Sequence, residues 1–125
     1  MRVLLDTHVL LWVFADSPQI NQVKPLILSN ETEVYISTAG WWELAIKIGI
    51  GKIDVKLDEI RVAATDSGFI DLPILGAHTQ TLLTLPLLHR DPFDRMLVAQ
   101  AISEPMQLIT NDNALSAYSS LVQMI

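Results

Sequence analysis

Cysteine is absent from the 125 residues, which excludes disulfide staples and every thiolate-bound metal, structural zinc included. That absence fits a reducing compartment, and a cytoplasmic location is expected. Charge is scarce and one-sided: only 18% of residues are Asp, Glu, Lys or Arg, and the formal net charge is −6. A general nucleic-acid binder wants surplus Lys and Arg to meet phosphates, so the sign argues against that class unless cations join the protein. Two divalent ions would offset four of those six charges.

Long hydrophobic runs are missing too. The longest stretch free of charged side chains, Leu72 to Leu88, is broken by Pro73 and Pro86 and carries His78, Thr79, Gln80, Thr81 and Thr84. It therefore falls short of the run of about 20 apolar residues that a membrane helix needs. The opening residues hold one basic residue, Arg2, and no small-residue cleavage site, so neither a secretory signal nor membrane attachment is expected.

Several chemistries lack their parts. Gly49 and Gly51 stand without the rest of either nucleotide-binding fingerprint, and there is no G-x-S-x-G elbow or other serine or cysteine nucleophile site. A receiver domain that takes phosphate on Asp would want a lysine late in its sheet, yet none follows Lys56. The three histidines, His8, His78 and His89, show no ligand spacing among themselves, which argues against a histidine-bound metal. Only His89, beside Arg90 and several acids, invites attention.

Half of the residues are hydrophobic, enough for one compact domain spanning 1–125. Short apolar runs at Val3–Leu5, Val34–Ile36, Phe69–Ile70 and Leu108–Ile109 read as strands, with Val122 to Ile125 available as an edge strand. Helical stretches lie between them, at Val9–Ala15, Asn21–Ser29, Thr38–Ile48, Leu57–Asp66, Ala77–Leu85, Phe93–Glu104 and Asn113–Ser119. The alternation predicts an α/β fold of three layers, a central parallel sheet of four or five short strands flanked by helices. Pro25 makes the start of the second helix uncertain, whereas Ser37 or Thr38 can cap the third. The segment after Asp94 has almost no polar face and is expected to be buried.

Four acids carry the functional expectation: Asp6, Glu43, Asp94 and Asp112. Asp6 and Asp112 follow strand-like runs, at the rim where open α/β sheets place ligands. Carboxylates gathered there raise one another's pKa unless a cation sits among them, so a divalent metal site is inferred. Singly, Asp6, Asp91, Asp94 and Asp112 are better explained as helix caps, and Asp91-Pro92-Phe93-Asp94 resembles a capping box. Glu43 stands four residues before Lys47, as in an ordinary surface ion pair, but its neighbours are unusually apolar. Trp12, Trp41 and Trp42 are expected in the core rather than stacked on bases.

These segments resemble a PIN domain, and more closely the VapC-type toxin ribonucleases of toxin–antitoxin pairs. The resemblance is carried by Leu4-Leu5-Asp6-Thr7-His8, by Ser37 to Lys47 with Trp42-Glu43-Leu44-Ala45-Ile46-Lys47, and by Gly51-Lys52-Ile53. It continues through Arg90-Asp91-Pro92-Phe93-Asp94-Arg95-Met96-Leu97-Val98-Ala99-Gln100-Ala101 and Thr110-Asn111-Asp112, so it spans nearly the whole chain in order. It implies a Mg²⁺ or Mn²⁺ site formed by Asp6, Glu43, Asp94 and Asp112, with Thr7, Thr110 and Asp91 in support. It also implies RNA hydrolysis, a small antitoxin partner and a homodimer. Lys47, Lys52, Arg90 and Arg95 are the candidates for contact with substrate. Two other readings stay open on the residues alone: a metal-dependent phosphotransfer domain of receiver type, and a non-catalytic binding module whose acids only cap helices.

Overall fold

The computed structural model describes residues Met1–Ile125 and contains five strands and six α-helices. The strands are β1 (Arg2–Leu5), β2 (Glu33–Ser37), β3 (Ile70–Leu72), β4 (Gln107–Thr110) and β5 (Val122–Met124). The helices are α1 (Thr7–Phe14), α2 (Lys24–Leu28), α3 (Thr38–Gly49), α4 (Leu57–Asp66), α5 (Gly76–Thr84) and α6 (Pro92–Ser103). All strand pairs are parallel, in the order β3-β2-β1-β4-β5. The expected architecture is therefore present, and its sheet has five strands.

Side chains alternate across β1, which sends Val3 and Leu5 to one face and Leu4 to the other. The first face packs with Val34, Ile36 and Ile109 under residues of α1, α2, α3 and α4, and the second packs with Leu108 under α6. On the second face α5 is tied to the end of α6 through fully buried His78, whose Nδ1 accepts the Leu75 N–H at 2.9 Å. Its Nε2 lies 2.6 Å from Glu104 Oε2, so one imidazole joins the start of α5 to the residue that ends α6.

Most helix ends shift by one or two residues, and three departures from expectation have a clear local cause. The third strand begins at Ile70 rather than Phe69, because the N–H of Phe69 is used to close α4, donating to Ala64 O at 2.9 Å after Gly68 turns at φ +80°. The second helix begins only at Lys24, with Pro25 in its first turn, where a missing N–H costs nothing; Pro18–Ile20 forms a separate 3₁₀ turn. The stretch expected as a helix at Asn113–Ser119 is a 3₁₀ turn over Asn113–Ala117, since the chain must fold back at once to lay β5 beside β4.

The strand order reverses at β1, whose successors β2 and β3 lie on one side while β4 and β5 lie on the other. Loops leaving the carboxyl ends of β1 and β4 diverge to opposite faces there and open a crevice. Asp6 follows β1 directly, and Thr110-Asn111-Asp112 ends and follows β4.

Candidate active site

A pocket of about 470 Å³ occupies that crevice, and none of its ten lining residues is hydrophobic. Asp6, Glu43, Asp94 and Asp112 all line it, together with Asp91, Thr7 and Lys47. Five carboxylates thus face one lysine.

Asp6 is the N-cap of α1, with Oδ1 accepting the Val9 N–H at 3.0 Å while Oδ2 accepts the Thr110 hydroxyl. Burial raises its pKa, against the pull of those two donors. Glu43 is buried on α3: Oε1 accepts the Thr7 hydroxyl at 2.7 Å and Oε2 lies 3.2 Å from Lys47 Nζ. The Glu43–Lys47 pair is therefore a pocket pair, as the apolar neighbours of Glu43 suggested, and not an ordinary surface one.

Asp91 caps α6, its Oδ1 accepting the N–H groups of Phe93 at 2.8 Å and Asp94 at 3.1 Å. Only half of a capping box forms, because the Asp94 side chain turns into the pocket, where Oδ2 lies 3.0 Å from His89 Nε2. Burial pushes the Asp94 pKa up to about 6; the His89 contact opposes the rise, and repulsion from Asp91, Glu43 and Asp112 adds to it. Asp112 caps the 3₁₀ turn through Oδ1, which accepts the Ala114 N–H at 3.0 Å, and its Oδ2 lies 3.5 Å from His89 Nε2.

Two sets of three donors come within 4.8 Å of one another: Glu43, Asp91 and Asp94, and His89, Asp94 and Asp112. Oxygen donors this close suit a hard divalent cation, whose ligands stand about 2.0–2.6 Å from it. The raised pKa of Asp94 is the electrostatic strain that such a cation relieves. Asp6 shares the pocket but belongs to neither set.

The basic candidates divide. Lys47 lines the pocket, while Lys52 and Arg90 are exposed outside it. Arg95 faces another cleft, with Thr79, Leu82 and Leu87, and its guanidinium donates to Leu85 O at 3.4 Å. His8, Asn111 and His89, which are not among the site residues expected from the sequence, also line the pocket. His89 adjoining Arg90 and Asp91 was the one available signal. Of the tryptophans, Trp41 is buried and Trp12 half-buried, but Trp42 is 60% exposed and meets the Phe93 ring edge-on at 4.9 Å. The expectation of a core position fails for Trp42, because α3 buries its neighbours Trp41, Glu43 and Leu44 on the opposite side.

Fold and pocket together define the class: an open parallel α/β protein whose ligand crevice is built from carboxylates. Within that class the chain belongs to the PIN domain family, whose model matches residues 3–121. It is similar to ribonuclease VapC22 of Mycobacterium tuberculosis (strain ATCC 25618 / H37Rv), 25% identical over 118 residues that cover 93% of this chain and 91% of that protein. Among solved structures, VapBC2 from Rickettsia felis bound to a DNA fragment from their promoter matches with TM-score 0.73 and 17% identity, over 100% of this chain and 98% of that one. A toxin–antitoxin complex from Klebsiella pneumoniae matches with TM-score 0.72 and 18% identity, over 98% and 96%. At these identities the solved structures establish the fold.

Proposed function

We propose that this protein is a divalent-metal-dependent endoribonuclease, the toxin of a toxin–antitoxin pair, which hydrolyses RNA phosphodiester bonds in the acidic pocket. The observation that carries the reading is the convergence of Asp6, Glu43, Asp94 and Asp112, from four separated stretches of chain, onto one pocket without apolar lining. The ribonuclease name of the similar Mycobacterium protein supplies the reaction class.

In this reading Asp6, Glu43, Asp94 and Asp112 hold Mg²⁺ or Mn²⁺, and Asp91 adds a fifth carboxylate. A bound divalent ion supplies Lewis-acid stabilisation of phosphate oxygens and makes water more acidic. The chain's own groups do the placing. Thr7 and Thr110 fix the carboxylates of Glu43 and Asp6 by donating to them, and Lys47, paired with Glu43 at 3.2 Å, brings to the pocket a positive charge that a substrate phosphate can use. Asp112, whose side chain is 36% exposed, is the acid best placed to orient an attacking water. In-line attack leaves a 5′-phosphate and a 3′-hydroxyl.

The same pocket fits an Arg or Lys of a small antitoxin, whose cation would take the place of the metal. The solved relatives described as VapBC2 and as a toxin–antitoxin complex support that partner. Leu83 and Leu87, each 88% exposed, leave apolar surface that a second copy can cover in a homodimer. No helix is long and apolar enough to cross a membrane, and the proposed RNA substrate points to the cytoplasm.

Cleavage of RNA by the pure protein tests the reading. Activity is expected with Mg²⁺ and not with EDTA, and Asp6→Asn or Asp94→Asn should slow it by at least about a hundredfold, as loss of one electrostatic stabiliser commonly does. Folded variants that cut as fast as the parent would overturn the assignment. A module whose acids only cap helices would bind no cation at all.

A further inference from the structure

The surroundings of His89 bear on which cations the pocket takes, an inference that rests on the metal-dependent reading above. His89 is held in place: its backbone N–H donates to Tyr118 Oη at 2.8 Å, which ties it to the 3₁₀ turn that Asp112 caps. Its Nε2 lies between two carboxylates, 3.0 Å from Asp94 Oδ2 and 3.5 Å from Asp112 Oδ2. The other donor set in the pocket, Glu43, Asp91 and Asp94, offers oxygen only. Asp94 belongs to both sets. Spacing between histidines, which argued against a histidine ligand, is no guide here, because the co-ligands are acids.

We propose that His89 Nε2 is a direct ligand in a mixed nitrogen–oxygen subsite with Asp94 and Asp112, and that this subsite prefers Mn²⁺ to Mg²⁺. Mg²⁺ demands oxygen and sheds its waters reluctantly, whereas Mn²⁺, although it too favours carboxylates, is a first-row transition ion that accepts an imidazole nitrogen beside them. Ligation uses the Nε2 lone pair, with the ring proton carried on Nδ1. The oxygen-only set remains suited to Mg²⁺. The pocket thus holds two chemically unequal subsites joined at Asp94.

Pulsed EPR of the full-length protein loaded with Mn²⁺ tests this directly, since a bonded imidazole nitrogen modulates the electron-spin echo. The expected result is ¹⁴N modulation in the parent and its loss in His89→Gln, with circular dichroism confirming that the variant is folded. In calorimetric titrations, His89→Gln should weaken Mn²⁺ by about tenfold or more and Mg²⁺ by less than about threefold. Bound Mn²⁺ without nitrogen modulation overturns the assignment while leaving a metal-dependent enzyme in place. Equal weakening of both ions also overturns it, because His89 would then act only by orienting Asp94. Failure to bind either ion removes the metal-dependent reading, and the inference falls with it.

Discussion

Replacing Asp94 with asparagine should make the metal-free protein more stable at neutral pH, although the same change removes the proposed activity. Burial and three neighbouring carboxylates raise the Asp94 pKa from 3.8 to about 6. Between those values the folded protein holds a proton that the unfolded chain has released, so stability falls as pH rises through that window and stays reduced above it. The ceiling of the effect is about 3 kcal/mol, at 1.36 kcal/mol for each pH unit. The side chain is 19% exposed, and solvent screening cuts the effect to about 2 kcal/mol. Loss of a negative charge from the first turn of α6 subtracts about 0.5 kcal/mol more. Asparagine keeps the shape and discards the charge. The variant should therefore gain about 1–1.5 kcal/mol at pH 7.5, or roughly 3–9 °C in Tm for a domain of this size. Near pH 4.5 the gain should shrink strongly, because the parent is then mostly protonated at Asp94. Thermal melts in EDTA at both pH values read this directly, and saturating Mn²⁺ should reverse the order by stabilising only the parent. A variant that melts lower than the parent in EDTA, by the same amount at both pH values, would show that the carboxylate serves the helix start, and the argument from strain would fail.

Two further outcomes follow from other contacts. His78→Ala leaves the Leu75 N–H without its acceptor and removes the link to Glu104, so it should cost about 2–4 kcal/mol in urea unfolding while activity survives at permissive temperature. Lys47→Met should slow RNA cleavage by about 10- to 100-fold by removing a phosphate-facing charge, yet leave Mn²⁺ affinity equal or higher, because a competing cation has left the pocket; a matching loss of metal affinity would instead make Lys47 a structural support for Glu43.

Elements were legible where local and tertiary signals agreed. Val3–Leu5 and Leu108–Ile109 read as buried strands because they are sandwiched between helices, and Ser37 caps α3 by accepting the Ala39 N–H at 3.0 Å. Legibility failed where one residue had two local uses. Phe69 has the composition of a strand residue, but its N–H is spent on closing α4. Trp42 has the size of a core residue, but its direction is set by which face of α3 meets the sheet, a tertiary fact. At the site, Asp6 and Asp112 were visible from their places after strands, whereas Glu43 and Asp94 stand in helices and were marked by the segments that carry the family resemblance. The separation of Lys47 from Lys52, Arg90 and Arg95 was not visible, since a linear string carries no record of which side of a helix or loop faces the crevice. His89 drew notice from its neighbours, but its place in the site was not legible: its partners Asp94 and Asp112 lie five and twenty-three residues away, and only the fold brings them together.

Capping, posed by the sequence as the rival to metal binding for these aspartates, does not compete with it, because a cap takes one oxygen of the carboxylate and a cation could take the other. In Asp6, Asp91 and Asp112 the Oδ1 atom accepts backbone N–H groups from the helix or turn that follows. Each helix start therefore fixes one oxygen and so the plane of the carboxylate, leaving Oδ2 of Asp112 beside His89 and Oδ2 of Asp6 on Thr110. Backbone donors also favour the ionised form, which offsets part of the repulsion that crowding creates. Asp94 differs: whereas burial raises Asp6 against the pull of its backbone donor, the Asp94 carboxylate accepts no backbone N–H, and burial pushes its pKa up to about 6. It is also the acid common to both sets of close donors. The residue least supported by the fold is thus the one with most to gain from a cation.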